Sequence, residues 1–151
     1  MIKAVLLDLD DTLIVTRTRA FLSRYLNALS EYARPLASDG TFLPRLIRSL
    51  ERTIEVYDPS CSLFDRYMDD LAAEFAVPST ELIPFFAEFY EHTYPALCSS
   101  IQPRPAVSRV LDTLFGSGYR VVIATNPRLP EASIHHRMRA GGIDPAHYPF
   151  E

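Results

Sequence analysis

With a single lysine, two cysteines and no long apolar run, the 151-residue chain excludes several classes of protein at the outset. Its formal charge of -4 leaves no basic footprint for nucleic acid, so no nucleic-acid partner is expected. No stretch approaches the roughly 20 apolar residues that span a bilayer. The apolar segment at the N-terminus is cut by Asp8, which is unlike a signal peptide. Neither feature suggests a membrane partner. Cys61 and Cys98 lie too far apart for a metal knuckle and are too few for a secreted disulfide framework. Reduced thiols and a cytoplasmic location are the expectation. Internal repeats and low-complexity segments are also lacking.

What is there begins with a core. Hydrophobic residues make up 48% of the chain, enough for a packed interior, and the length suits about one domain. Residues 2 to 7 are an apolar, β-prone run that ends abruptly in Asp8-Leu9-Asp10-Asp11-Thr12-Leu13. A buried strand does not ordinarily finish in three carboxylates, because an unpartnered buried charge costs several kcal/mol. Side chains two apart in a strand share a side, so Asp8 and Asp10 should converge if the strand geometry persists. In open α/β sheets ligands bind at that carboxyl end. Two carboxylates and the Thr12 hydroxyl suit a hard cation and an anionic substrate. A calcium loop fails on spacing, since Leu13 and Arg19 stand where Gly and Glu are needed.

From about Thr16 to Ala96 the period is helical. Phe21, Leu22, Tyr25, Leu26 and Leu29 form one apolar stripe, and Phe42, Leu43, Leu46, Ile47, Leu50 and Ile54 form a second. Ser62 to Asp65 reads as a helix-capping sequence ahead of Tyr67, Met68, Leu71 and Phe75. After Pro78-Ser79, Leu82, Phe85, Phe86, Phe89 and Tyr90 make a fourth helix. Leu36 to Gly40 and Tyr57 to Ser60 read as connections. Four amphipathic helices describe a small bundle. The stripe of aromatic residues through Tyr94 reads as core, and Asp69-Asp70 as a solvated face.

Beyond Pro103 the grammar changes. A helix over about Val107 to Phe115 stops near Gly116 to Gly118. Tyr119 to Ala124 is a second buried strand, ending at Thr125-Asn126-Pro127. A helix from about Glu131 to Ala140 closes at Gly141-Gly142. The expected fold is α/β, a Rossmann-like parallel-sheet core interrupted after its first strand. Residues 1–13 and 103–151 would form that core and residues 14–102 an all-helical insertion.

An apolar strand followed by Asp-x-Asp-x-Thr-Leu resembles the opening signature of the haloacid dehalogenase-like superfamily, mostly magnesium-dependent phosphohydrolases. The resemblance covers residues 2 to 13 and again about 103 to 130. It implies a helical cap inserted after the first motif. Asp8 would be the nucleophile that forms an aspartyl-phosphate, and Asp10 the general acid and base. Mg²⁺ would be held by the Asp8 carboxylate and the Asp10 main-chain carbonyl. Thr125 and Asn126 would bind the substrate phosphate, Asn126 also shaping the loop, and the Thr12 amide would touch the phosphate. Asp11, where many relatives have Gly, receives no catalytic role.

The resemblance implies a small phosphomonoester as substrate. A phosphonate hydrolase needs a cap lysine that residues 14 to 102 lack, and a dehalogenase has no use for Asp10. A sugar-phosphate mutase is a weaker expectation. The family's third motif, a Lys or Arg, and its fourth, an acidic pair, find no match. Lys3 lies at the wrong end of its strand, Arg137 and Arg139 come too early, and Asp144 and Glu151 do not form the pair. A fragment of a longer protein is therefore expected, the alternative being that another chain completes the sheet. Association through the incomplete sheet edge follows. The competing reading is a non-catalytic, shortened domain that binds a partner. Arg17 and Arg19 read as a solvated helix start, and His135-His136 as surface residues.

Overall fold

The computed structural model describes residues 2–55, 58–125 and 129–148. The chain is mixed α/β and mostly helical, with a small two-stranded parallel sheet. Its strands are β1 (Ala4–Leu7), β2 (Ile14–Val15), β3 (Gln102–Pro103) and β4 (Arg120–Ile123). Its α-helices are α1 (Thr18–Tyr32), α2 (Phe42–Glu55), α3 (Leu63–Phe75), α4 (Ser79–Glu88), α5 (Tyr94–Leu97), α6 (Val107–Gly116) and α7 (Glu131–Ala140).

The two apolar runs that flank the helical stretch pair with each other. β1 and β4 run parallel, with Ala4 opposite Arg120 and Leu7 opposite Ile123. The Ala124 amide donates to the Leu7 carbonyl at 2.8 Å, which carries the ladder to the last residue before Asp8. α6 leads into β4 and α7 leaves it, giving the helix-strand-helix unit that the glycines and periodicity foretold. Gly118 takes φ +76°, a turn conformation that a side chain would disfavour.

β2 and β3 form a second, antiparallel pair, with Ile14 opposite Pro103 and Val15 opposite Gln102. The chain thus leaves for α1 and comes back from the last helical turn at adjacent points. Ser62 caps α3 as expected, its hydroxyl accepting from the Asp65 amide at 3.0 Å. The fourth helix is longer and less regular than its stripe suggested. α4 passes into a π-helical turn over Phe89–Thr93, then α5, then a 3₁₀ turn over Cys98–Ser100. Pro95 explains the widening, because it has no N–H to give to the preceding turn and its ring crowds that turn's carbonyl.

A single apolar cluster joins the two regions. Leu9 and Ile14, from the segment after β1, are fully buried, as are Phe89 and Tyr94. The Tyr25 and Tyr90 hydroxyls satisfy each other at 2.7 Å inside it. One surface expectation is corrected: Asp70 is half-buried and takes a two-pronged bond from Arg52 of α2, at 3.1 and 2.7 Å. Asp69 alone keeps the solvated position.

Candidate functional site

The carboxylates after β1 divide by what they touch. Leu9 is wholly buried between Asp8, which is exposed, and Asp10, which is partly covered. The Leu9 carbonyl gathers the Leu13 amide at 2.9 Å, the Ile14 amide at 3.2 Å and the Thr12 amide at a long 3.4 Å. That closes a tight loop and anchors it in the core. Within it the Thr12 hydroxyl donates to Asp8 Oδ2 at 2.8 Å.

Asp10 is held from two sides. Its Oδ1 accepts from the Thr16 hydroxyl at 2.7 Å, and its Oδ2 from the Arg137 guanidinium of α7. Thr16 and Arg137 are both buried. A buried guanidinium needs such a partner, since charge without one is costly in a low dielectric. Arg137, read from sequence as too early to serve the site, is the cation beside it.

Asp11 has a structural task. Its carboxylate accepts from the Thr16, Arg17 and Thr18 amides at 3.0, 2.8 and 2.9 Å and from the Thr18 hydroxyl at 2.7 Å. These amides include free donors at the start of α1, which the side chain satisfies. The bonds to Thr18, then Arg17, hold the Asp11 carboxyl well down, at about 2. Its main chain takes φ +57°, a left-handed conformation, and its carbonyl accepts from Arg104 at 2.6 Å.

Thr125 follows the last bond of the parallel ladder, beyond the end of β4 and beside the end of β1. It is half-buried and borders a cavity of about 430 Å³ whose wall also includes Asp10, Thr16 and Arg137. Asp10 and Thr125 therefore share one cavity, as the two strand endings suggested. Asp8 and Thr12 are exposed and do not belong to its wall. Asn126 lies outside the described residues. Arg17 and Arg19 are exposed, whereas His135 and His136 are half-buried rather than on the surface. Burial, then the nearby Arg139 charge, lowers the His136 pKa.

Among the described residues, no three His, Cys, Asp or Glu side chains converge into a group able to hold a metal ion. The test for Mg²⁺ is thus whether single oxygens suit it. This ion keeps several waters and commonly takes only one or two carboxylates together with substrate phosphate. The exposed Asp8 carboxylate, with one hydrogen-bond partner among the described residues, fits that pattern. The Asp10 carboxylate does not, being committed to Thr16 and Arg137, so Asp10 could contribute only its main-chain carbonyl.

Sequence reasoning missed Arg137, Thr16 and the anchoring role of Asp11. Thr16 and Thr18, close behind a carboxylate and ahead of a helix, were the readable signal for Asp11. No sequence signal marks Arg137, which meets Asp10 from the far end of the chain. No helix among the described residues is long and apolar enough to cross a membrane. In comparisons with known proteins, no family model matches the chain, and no curated protein or solved structure does so either.

Proposed function

We propose that this chain carries the nucleophile and phosphate site of a haloacid dehalogenase-like phosphohydrolase acting on a small phosphomonoester. The observation that carries the reading is that β1 and β4 end side by side, so that Asp10 and Thr125 border one cavity, with Asp8 exposed at the end of β1 outside its wall. The β2–β3 pair supports the companion reading of a helical cap inserted into a Rossmann-like core, since it brings the two ends of residues 14–102 together.

In this reading an Asp8 carboxylate oxygen attacks phosphorus, and the ester P–O bond breaks. The leaving oxygen takes a proton from Asp10. Water then attacks the aspartyl-phosphate, returns a proton to Asp10 and releases phosphate. Thr12 orients Asp8 through its hydroxyl bond. Thr125 offers the phosphoryl oxygens an uncharged donor, which binds the anion without neutralising the nucleophile. For Asp10 to pass a proton, the oxygen carrying it must first leave Thr16 or Arg137. Mg²⁺, bound at Asp8, would screen the charge between the carboxylate and the incoming phosphate.

The test is turnover of phenyl phosphate with Mg²⁺ by residues 1–151 and by Asp8→Asn. One carboxylate makes a weak magnesium site, so the rate should fall well below the ~1–10³ s⁻¹ of ordinary enzymes. It should vanish in Asp8→Asn with the fold retained. An equal rate in that variant would remove Asp8 from the chemistry.

A second reading has its own observation. β1 is paired on one side only among the described residues, and Ile2 and Leu6 are 71% and 66% exposed. An apolar strand with a free edge is a surface for association, as a non-catalytic binding domain would use it.

A further inference from the structure

Two of the apolar residues that the helices leave exposed, Leu22 and Ile47, border one cavity. On α1 the buried row is Phe21, Tyr25 and Leu29, yet Leu22 remains 47% exposed one position along. On α2 the buried row is Phe42, Leu46, Ser49 and Thr53, while Ile47 remains 45% exposed. Both residues, with Leu26 and Leu50 of the same two helices, border the cavity that holds Asp10, Thr125 and Arg137. Leu22 and Ile47, each beside a buried row, thus face the cavity, while Leu26 packs partly against the core as well. Leaving that much hydrocarbon against water is unfavourable unless something apolar covers it.

Apart from the Tyr25 and Tyr67 hydroxyls on the helical side, the polar groups of the cavity cluster around Asp10, and they are mostly spoken for. Thr16 and Arg137 bond to Asp10, and the Thr18 hydroxyl bonds to Asp11. On the helical side the Tyr25 hydroxyl is engaged with Tyr90. A ligand rich in hydroxyls would lose its water there and gain few partners. The cavity also adjoins a deeper, apolar one of about 200 Å³, the two sharing Tyr25, Leu46, Tyr67 and Leu129. Together they fall in the size range of small-ligand sites, about 300–1,000 Å³.

Resting on the phosphohydrolase reading, we infer that the substrate is a phosphomonoester of an apolar, ring-bearing alcohol or phenol. Its phosphoryl group lies at the Thr125 end, and its hydrocarbon covers Leu22, Leu26, Ile47 and Leu50. A sugar phosphate is disfavoured by the same wall.

Binding to residues 1–151, measured by calorimetry with Mg²⁺ present, tests this with benzylphosphonate, methylphosphonate, glycerol 3-phosphate and benzyl alcohol. Benzylphosphonate should bind at least about tenfold more tightly than either small anion, because a buried ring adds several methylenes' worth of transfer energy. Ile47→Glu, checked for an unchanged unfolding midpoint, should erase that preference by placing a carboxylate in the apolar wall. Equal affinities for the three anions, or tightest binding of glycerol 3-phosphate, overturn the inference and leave the phosphate site standing. Benzyl alcohol binding as tightly as benzylphosphonate overturns the phosphohydrolase reading with it. Absence of binding by all four probes overturns the inference too.

Discussion

Asp8, Asp10 and Asp11 sit within four consecutive positions and do three different things. Asp8 is exposed with one hydroxyl partner, Asp10 is clamped by Thr16 and Arg137, and Asp11 anchors the start of α1. The Asp11 carboxyl, held at about 2 by its bonds to Thr18 and Arg17, has a measurable consequence. Its folded-state pKa lies below the unfolded value of about 4. Its stabilising contribution is therefore complete above pH 4 and disappears as the pH falls toward 2. Asp11→Asn should flatten that part of the stability profile, measured as denaturation midpoint against pH. An unchanged acid limb would show that the cap bonds carry no such weight. The left-handed backbone at Asp11 also gives a physical reason for the glycine that the resemblance puts here, since Gly adopts φ above zero without penalty. The carboxylates and Thr125 were legible because a run of apolar residues ended at each. Arg137 was not, because side chains meeting across the fold leave no local pattern.

At the scale of elements, the helix-strand-helix unit and the four-helix stretch followed their periodicities closely. α7 spans the residues its glycine stop indicated, Glu131–Ala140. Two details escaped the pattern for identifiable reasons. The π turn at Phe89–Thr93 depends on Pro95, whose effect falls on the turn before it rather than at its own position. Ile47 falls in the same apolar stripe as Leu46, yet of the two only Leu46 is buried; a period alone does not say which of two adjacent rows meets a neighbour. The close of α7 shows a tighter constraint. A Cβ at Gly141 would come 2.8 Å from Ile14 Cβ and nearer still to its Cγ2. Ile14 is fully buried in β2 and has no room to retreat. Gly141→Ala should therefore destabilise the fold by about 1–3 kcal/mol, the usual cost of overpacking. Chemical denaturation measures it, and a loss below about 0.5 kcal/mol, typical of surface changes, would mean that α7 and β2 slide apart easily.

Among the described residues, a well-packed helical region joins a sheet of two parallel strands. Two strands alone are marginal in water, and this pair is steadied by its helices and by the buried loop through Leu9 and Leu13. The expectation of an uncovered first strand matches the exposure of Ile2 and Leu6. Sedimentation of residues 1–151 should accordingly give a mass above the 17.1 kDa monomer, with Leu6→Lys returning it toward that value. A monomer at every concentration would show that the edge is harmless.

The claim on which the functional account turns is that Asp8 accepts a phosphoryl group. Mixing the protein with phenyl phosphate and Mg²⁺, quenching in acid and mapping the peptides by mass spectrometry tests it directly. The account predicts one phosphoryl group on the peptide bearing Asp8, absent from Asp8→Asn. A phosphoryl group on any other residue, or none on any peptide, would contradict it.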